Sequence, residues 1–321
     1  MHQLLQLLHT RISQLDFGTD PVELYDPLRY MMELGGKRLR PLLTLAGADL
    51  FGGKPEKALM PALGVEVFHN FTLMHDDIMD QAPLRRGQPT VHHKWNSTIA
   101  ILSGDVMLVK AYELVMQVDD RLLRTVLELF NKCAAQVCEG QQYDMNFETR
   151  AQVGIDEYLH MIKLKTAVLV GFGLQMGALI GGAPAAQADL LRQFATNVGI
   201  AFQLKDDLLD VYADQSKFGK QVGGDILSNK KTFLLLSALE RANPAQLAEL
   251  KHWLQFTPAN PAEKVQAVTE IYNQLGVRQL TADKMTHYFS LALNQLSEVQ
   301  ANETKKAQLR QFAEDLMLRE V

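Results

Sequence analysis

Two aspartate-rich pentapeptides are the parts of this sequence best suited to chemistry. The first is Asp76-Asp77-Ile78-Met79-Asp80, and Asp206-Asp207-Leu208-Leu209-Asp210 follows about 130 residues later. On a helix, the first and last aspartates of each motif lie one turn apart and share a face. Such carboxylates repel one another unless a cation binds them, and Mg²⁺ prefers carboxylate oxygens while bridging substrate phosphates. An acidic surface patch would explain one motif, but both follow apolar runs at 68–74 and 198–204.

Basic residues flank both motifs. They lie in the turn Gly35-Gly36-Lys37-Arg38-Leu39-Arg40-Pro41, in Arg85-Arg86-Gly87, at Lys165, and at Lys220, Lys230 and Lys231. Arginine forks match phosphate oxygens, and lysines supply point charges. Any one of these residues could be an ordinary surface cation. Their placement beside both carboxylate clusters predicts two phosphorylated groups, one bound through metal and one bound directly.

The elements that must position these residues all show helical periodicity. Leu4, Leu5, Leu8 and Ile12 form one apolar stripe, and further helical runs are predicted at 25–34, 58–78, 98–117, 121–137, 155–180 and 188–212. No run has the period-two alternation of a strand, and no linker or internal repeat separates the segments. We expect an all-α fold: a single domain, 1–321, built as one large helical bundle around a deep central cavity.

Composition excludes several classes of protein. The chain of 321 residues has 47% hydrophobic residues and a net charge of -5, which argues against nucleic-acid binding. Its two cysteines, Cys133 and Cys138, cannot form a disulfide scaffold, so a reducing cytoplasm is expected. A signal peptide begins with a basic region before its apolar residues, and this N-terminus has none, so a signal peptide is not expected. The uncharged run 166–188 contains Gln175, Gly181-Gly182 and Pro184, and is expected to be a buried helix rather than a membrane span.

Five ordered motifs together resemble the trans-isoprenyl diphosphate synthases, also called polyprenyl synthetases. They are Gly35 to Pro41, the run from Phe71 to Asp80, Leu84-Arg85-Arg86-Gly87, the run from Gln203 to Asp210, and Gly219-Lys220-Gln221-Val222-Gly223-Gly224-Asp225. The resemblance covers about residues 20 to 235. It implies a helical homodimer in which an allylic diphosphate ionises and isopentenyl diphosphate attacks the carbocation. Such ionisation requires neutralisation of the departing pyrophosphate in a site that excludes water.

The resemblance also implies roles for individual residues. Mg²⁺, about three ions per site, would be bound by Asp76, Asp80 and Asp206, with Asp77, Asp207 and Asp210 behind these ligands. The allylic diphosphate would be contacted by Arg85, Lys165 and Lys220, with Lys230 within reach and with Thr166 and Gln203 near the reacting carbons. Isopentenyl diphosphate would be contacted by Lys37, Arg40, His69 and Arg86. The residues expected to act in catalysis are Asp76, Asp80, Lys165, Thr166, Gln203 and Asp206.

Some of these positions have other readings. His69 lies on an apolar helix, where core packing is the ordinary role of a histidine. Gln141 and Asp144 resemble a pair that lines the cavity, but they could equally be surface residues of a helix. After Asp225 the family usually has Gly-Lys-x-Thr ending in proline, whereas this chain has Asn229-Lys230-Lys231-Thr232-Phe233.

Product length is expected to depend on bulky residues before the first motif. Phe71 and Phe68 lie five and eight residues before Asp76, about 7 and 12 Å along a helix, which suits a few isoprene units. Thr72, which follows Phe71, is small. A helical wheel places Thr72 and Phe68 on the same helix face as Asp76. The family resemblance instead favours Phe71 as the residue that limits product length. Phe71 followed by Thr72 resembles geranylgeranyl synthases, so a C20 product is favoured and C15 is next.

Other functions remain open from sequence alone. A longer-chain polyprenyl diphosphate synthase would use the same motifs. An HD-type metal phosphohydrolase is also all-α and could use His69 and His75-Asp76, but it needs no second aspartate motif. A terpene cyclase shares the first motif, but its second metal site usually mixes Asn, Ser and Glu. A non-catalytic synthase subunit usually lacks one aspartate motif, and this chain has both.

Overall fold

The computed structural model describes residues 1–213, 223–256 and 258–318, and these residues are almost entirely helical. The helices are α1 His2–Ile12, α2 Val22–Glu33, α3 Leu39–Leu50, α4 Pro55–Met79, α5 Val91–Lys94, α6 Ser97–Val115, α7 Asp120–Thr149, α8 Ile155–Ile162, α9 Val168–Ile180, α10 Ala185–Tyr212, α11 Gly224–Leu227, α12 Phe233–Arg241, α13 Pro244–Gln255, α14 Pro261–Gln274, α15 Val277–Glu298 and α16 Glu303–Leu318. The prediction of an all-α fold is confirmed.

Two local features depart from regular α-helix. The strands β1 Leu84–Arg85 and β2 Gln88–Pro89 pair as an antiparallel hairpin, which sequence analysis did not predict because two-residue strands show no alternation. A π-helical turn, Lys163–Ala167, joins α8 to α9 within the run predicted as one helix.

The chain forms two compact units. The first consists of Met1–Ala134, Leu169–Arg192 and Glu298–Leu309. In this unit α4 packs against α3 and α6, and glycines bring helix backbones into contact. A Cβ at Gly177 would lie 1.9 Å from the Thr44 carbonyl oxygen, and a Cβ at Gly64 would lie 2.7 Å from the Val115 side chain. This close packing fixes α3 and α4, which carry the first set of predicted site residues.

The second unit consists of Ala135–Val168, Gln193–Ser297 and Arg310–Val321. It has two apolar clusters. One joins residues of α7, α8, α10 and α12, and it includes Phe147, Tyr158 and Leu204. The other contains residues from each of the helices α10, α11, α12, α13 and α14, and it includes Val211 and Tyr272. The first cluster therefore holds α8 against the part of α10 that carries the second aspartate motif.

Among the residues that the structure describes, one helical stretch is long and apolar enough to cross a membrane by length and composition alone. It is Ile155–Ile180, with a hydropathy of 1.3 in its most apolar window, of which 67% is buried within the protein. A mostly buried core helix has the same length and composition.

Candidate active site

The first aspartate motif lies at the carboxyl end of α4. Asp76 and Asp77 belong to its last turn, and Asp80 follows as the C-cap with φ -81° and ψ -4°. The Asp80 N–H donates to the Asp76 carbonyl at 2.8 Å, so these two aspartates lie one turn apart, as predicted. Asp76 is half-buried and Asp80 is exposed. The two residues expected to bind metal are therefore the accessible aspartates of the motif.

Asp77 differs from both, because it is buried and bound by an arginine. The Arg85 Nε donates to Asp77 Oδ2 at 2.8 Å, and its Nη2 donates to Oδ1 at 2.7 Å. The same Nη2 lies 3.9 Å from Asp76 Oδ2. Burial raises the pKa of Asp77, and the hydrogen bonds from Arg85 oppose that rise only in part. Asp77 thus directs a guanidinium onto the first motif.

The β1–β2 hairpin places Arg85 and Arg86. Arg86 and Gly87 form its two-residue turn, with φ +52° and +76°, as a type I′ turn requires. The Arg86 Nη1 donates to the Gly35 carbonyl. A Cβ at Gly36 would lie 2.8 Å from Arg86 Nη2, so glycine makes room for this guanidinium. The hairpin therefore brings the second basic motif against the first.

Arg38 has a different role from its basic neighbours. It precedes α3 in a left-handed conformation, with φ +49°, and it is buried. Its Nη1 donates to Glu66 Oε1 at 2.5 Å, and its Nη2 donates to the Met32 carbonyl at 2.5 Å. Sequence analysis missed Glu66, although an acidic residue within the apolar run 58–78 was the available signal. The Arg38–Glu66 pair anchors the turn that carries Lys37 and Arg40.

Arg40 and His69 are in contact. The Arg40 Nη1 lies 3.1 Å from His69 Nε2. Burial, followed by the charge of Arg40 and other arginines, holds the pKa of His69 well below its usual range, so the imidazole is neutral at neutral pH and Nε2 accepts from Arg40. In the described part of the chain, the buried Arg40 Nε has no acceptor. An anion bound here would supply an acceptor for Arg40 Nε. Lys37 and Arg86, from the same two basic motifs, are exposed.

The second aspartate motif lies near the carboxyl end of α10. Asp206 and Asp210 are half-buried, whereas Asp207 is buried. The Tyr158 hydroxyl donates to Asp207 Oδ2, and the Gln203 Nε2 donates to Oδ1 at 3.3 Å. Burial raises the pKa of Asp207 to about 7, with the Tyr158 hydrogen bond acting in the opposite direction. Sequence analysis missed Tyr158, which belongs to no recognised motif.

Asp210 is bound to the segment that follows. Its Oδ2 accepts from the Asp225 N–H at 2.9 Å. Burial, together with the charge of Asp225, raises the pKa of Asp210 to about 6. The charge of Lys230 opposes the rise in pKa of both Asp207 and Asp210. Lys220 and the other residues of its motif up to Val222 lie outside the described residues.

The π-helical turn positions Lys165 and Thr166. The Lys165 Nζ donates to Asp144 Oδ2 at 2.6 Å, which places Asp144 beside a predicted site residue and not on an unrelated helix surface. The Thr166 Oγ1 donates to Gln203 Oε1 at 3.4 Å. Single π-helical turns are frequent at functional sites. Gln203 therefore connects Thr166 to Asp207 within this unit.

Lys231 does not join the cationic cluster. Its Nζ donates to the carbonyls of Phe147 and Arg150, the latter at 2.7 Å. These carbonyls lie at the end of α7, where cations are favoured. Lys231, which follows the second motif in the sequence, thus places its charge at the end of this helix.

The proposed floor residues are packed differently from one another. Phe68 is 1% exposed and packs edge-on against Phe130, with ring centroids 5.1 Å apart. Phe71 and Thr72 are half-buried, and the Phe71 ring lies 5.6 Å from that of Phe68. Phe130 itself stacks on Phe172 at 5.5 Å. Sequence analysis missed Phe130 and Phe172, so the aromatic cluster behind Phe71 is larger than predicted.

Mg²⁺ fits the chemistry of these donors. Among the described residues, no three or more His, Cys, Asp or Glu side chains already converge as a metal site. The accessible aspartates offer only carboxylate oxygens, and Mg²⁺ is commonly bound by one or two carboxylates together with water and substrate phosphates.

Comparison with known proteins defines the class. The Polyprenyl synthetase family profile matches residues 21–275. The chain is 42% identical to a geranylgeranyl diphosphate synthase of Methanosarcina mazei, over 74% of this chain and 76% of that protein. It is 38% identical to a geranylfarnesyl diphosphate synthase of Natronomonas pharaonis, over 69% of this chain and 70% of that protein. A crystal structure of a geranylgeranyl pyrophosphate synthase matches with a TM-score of 0.92 and 44% identity, covering 99% of this chain and 97% of the other.

The chain belongs to the polyprenyl synthetase family and is a trans-prenyltransferase. The family resemblance predicted from the sequence motifs is thus confirmed, and it extends beyond the predicted end at about residue 235 to residue 275.

Proposed function

We propose that this prenyltransferase condenses isopentenyl diphosphate with an allylic diphosphate, head to tail (1'-4), to form an all-trans C20 product. The observation that carries the proposal is the division of labour within the aspartate motifs. The middle aspartate of each is buried and accepts hydrogen bonds from protein donors, whereas Asp76 and Asp206 are half-buried and Asp80 is exposed. These three side chains would hold Mg²⁺, about three ions per site, which would neutralise the departing pyrophosphate.

Two groups of side chains would bind the two diphosphates. Arg85, Lys165, Lys220 and Lys230 would contact the allylic diphosphate, and Lys37, Arg40, His69 and Arg86 would contact isopentenyl diphosphate. The acceptor-less Arg40 Nε supports the second assignment. A neutral His69 would accept from Arg40 and hold that guanidinium in place. Thr166 and Gln203, which contact each other, would lie near the reacting carbons and orient them.

The hydrolase alternative lacks support in the described residues. An HD-type site would need His69 and His75 as metal ligands. The His69 Nε2 contacts Arg40 instead, and the His75 Nε2 lies 3.2 Å from the Ile101 carbonyl. The non-catalytic alternative also lacks support, since neither aspartate motif is lost.

We infer that the whole chain acts as one catalytic domain and forms a homodimer in the cytoplasm. The family resemblance supports the dimer. One face of α6 also supports it, because Ile101, Leu102, Val109 and Met116 at the end of that helix are between 45% and 57% exposed. Both cysteines are free thiols, as a reducing compartment would leave them.

A C20 product is favoured by Phe71, which is the accessible aromatic residue nearest the first motif. Phe68 is fully covered by its neighbours, so the growing chain would meet Phe71 first. A longer product is the second candidate, because the geranylfarnesyl relative is nearly as similar to this chain as the geranylgeranyl relative is.

Chromatography of the products tests both the activity and the chain length. Purified protein with Mg²⁺, labelled isopentenyl diphosphate and C5, C10 or C15 allylic primers is expected to give C20 as the main product. Phosphate release without chain growth would contradict the proposal. Absence of turnover with every primer would support the non-catalytic alternative.

Phe71→Ala is expected to shift the main product to C25 or longer, because removing the ring opens space toward Phe68 and Phe130. Phe256→Ala, which changes an exposed ring in the second unit, is the control and should leave product length unchanged. An unchanged product in Phe71→Ala would overturn the floor assignment alone.

A further inference from the structure

Lys264 on α14 is a buried charged residue that the proposed chemistry does not use. It is 4% exposed, and burial lowers its pKa. Its Nζ donates to Asn229 Oδ1 at 2.6 Å, and the described part of the chain gives it no ion-pair partner. Burying an ammonium without a carboxylate nearby is costly in free energy. The hydrogen bond to Asn229 is therefore the interaction that could account for a lysine at this buried position.

Asn229 has an unusual backbone conformation, with φ +56°. This left-handed region disfavours residues with a Cβ, and asparagine tolerates it better than most. Both ends of the Asn229 amide are occupied: the Nδ2 donates to the Leu254 carbonyl at 3.1 Å, and the Oδ1 accepts from Lys264. Lys264 therefore fixes the side chain, and with it the turn, at a strained position.

The residue after this turn is Lys230. Its N–H donates to the Asp225 carbonyl at 2.9 Å, and Asp225 in turn donates its own N–H to Asp210. These two hydrogen bonds connect the backbone of Lys230 to Asp210 in the second aspartate motif, and the charge of Lys230 opposes the rise in the pKa of Asp207 and Asp210. The conformation of Asn229 decides the direction in which the chain leaves toward Lys230.

We propose that Lys264 is a positioning residue for diphosphate binding, which acts through Asn229 to hold Lys230 beside the second aspartate motif. The inference rests on the proposed role of Lys230 as a contact to the allylic diphosphate. Sequence analysis could not find Lys264, because it lies 34 residues beyond Lys230 in a segment without a motif.

Lys264→Met keeps the length of the side chain and removes its charge and its hydrogen bond. We expect the KM for the allylic diphosphate, and the inhibition constant of inorganic pyrophosphate, to rise about tenfold, because small displacements of a binding group are costly. The kcat at saturating substrate should change much less. Lys306→Met is the matched control, since that lysine is also largely covered and donates to a backbone carbonyl in the first unit.

Two further backgrounds separate positioning from general destabilisation. In a Lys230→Met background, Lys264→Met should cause no further rise in KM, because the positioned group is already absent. In an Asn229→Gly background its effect should be small, because glycine adopts the left-handed conformation without help. Asn229→Ala should reproduce the effect of Lys264→Met and serves if that variant does not fold.

The outcomes are distinct. A wild-type protein that elongates no primer would contradict the proposed function. An active wild-type protein whose KM is unchanged by Lys264→Met would overturn this inference alone. The same KM increase with and without Lys230 would also overturn it, because Lys264 would then act through the stability of the unit, which thermal unfolding of each variant measures.

Discussion

At the scale of single residues, the three aspartates of each motif differ in burial and in their hydrogen-bond donors. Asp77 and Asp207 are each buried in the middle of their motif, but the donors differ: Asp77 binds a guanidinium, and Asp207 binds a phenol and an amide. A charged partner offsets the burial of a carboxylate better than neutral partners do. Burial raises the pKa of Asp207 to about 7 despite its two hydrogen bonds, so its ionisation at neutral pH depends on a nearby cation.

Stability of the metal-free protein is expected to depend on the ionisation of Asp207. Because its folded-state pKa of about 7 exceeds the unfolded value of 3.8, the folded state holds the proton more tightly. Stability from this group is therefore present at low pH and is lost as the pH rises toward 7. Between pH 5.5 and pH 8 the free energy of unfolding should fall by about 2 kcal/mol from this group. Urea unfolding in the presence of a chelator measures it.

Asp207→Asn is the control for that measurement, because an amide cannot ionise. Its unfolding free energy should lack this decline, apart from the smaller share that comes from Asp210, whose pKa is about 6. Added Mg²⁺ should stabilise the wild-type protein more at pH 8 than at pH 5.5, since metal binds the ionised carboxylates. Equal pH dependence in the wild type and in Asp207→Asn would show that Asp207 does not titrate in this range.

At the scale of elements, the site residues depend on irregular joints between helices. The π-helical turn directs Lys165 and Thr166 toward Asp144 and Gln203, and the β1–β2 hairpin turns Arg86 back to Gly35. These joints can be kept in place only if the helices around them are held rigidly. In the first unit, contact between the backbones of α3 and α9 supplies that rigidity, because glycines allow an approach that any side chain would prevent.

Gly177→Ala tests the contact between α3 and α9. Its Cβ would lie 1.9 Å from the Thr44 carbonyl oxygen, so the helices must separate. Overpacking of this kind typically lowers stability by about 1–3 kcal/mol, and we expect the KM for isopentenyl diphosphate to rise as well, because α3 carries Arg40. Denaturant unfolding and steady-state kinetics measure the two effects.

Gly154→Ala is the matched control for Gly177→Ala. The nearest atom to a Cβ at that position is Glu157 Oε2 at 3.6 Å, an ordinary contact. Its stability should change by less than about 1 kcal/mol. If Gly177→Ala were no more destabilising than Gly154→Ala, the close approach of the two helices would not be needed.

At the scale of the whole molecule, the motifs were enough to predict the family and the all-α fold, because charge clustered within apolar helices has few explanations. The supporting residues were not predictable in the same way. In the sequence, Arg38 looks like its basic neighbours Lys37 and Arg40. Its left-handed backbone conformation, which the sequence does not reveal, turns its side chain inward to Glu66. Helix α7 was predicted to end at Val137, because the residues beyond it are polar and break the apolar periodicity. The helix continues to Thr149. Within this extension Asp144 accepts a hydrogen bond from Lys165, a contact that sequence periodicity cannot show.

The proposed homodimer gives the last prediction. Val109 is 57% exposed on the face of α6 that also carries Leu102 and Met116, so a homodimer formed through that face would bury it. Val109→Glu would place a charge without a partner at that contact, and such burial is strongly unfavourable. We expect sedimentation to show a dimer for the wild type and mostly monomer for this variant. Phe256→Glu, at a similarly exposed apolar position in the second unit, should remain dimeric. A dimer that survives Val109→Glu would exclude this face of α6 from the interface, and a monomeric wild type would contradict the dimer itself.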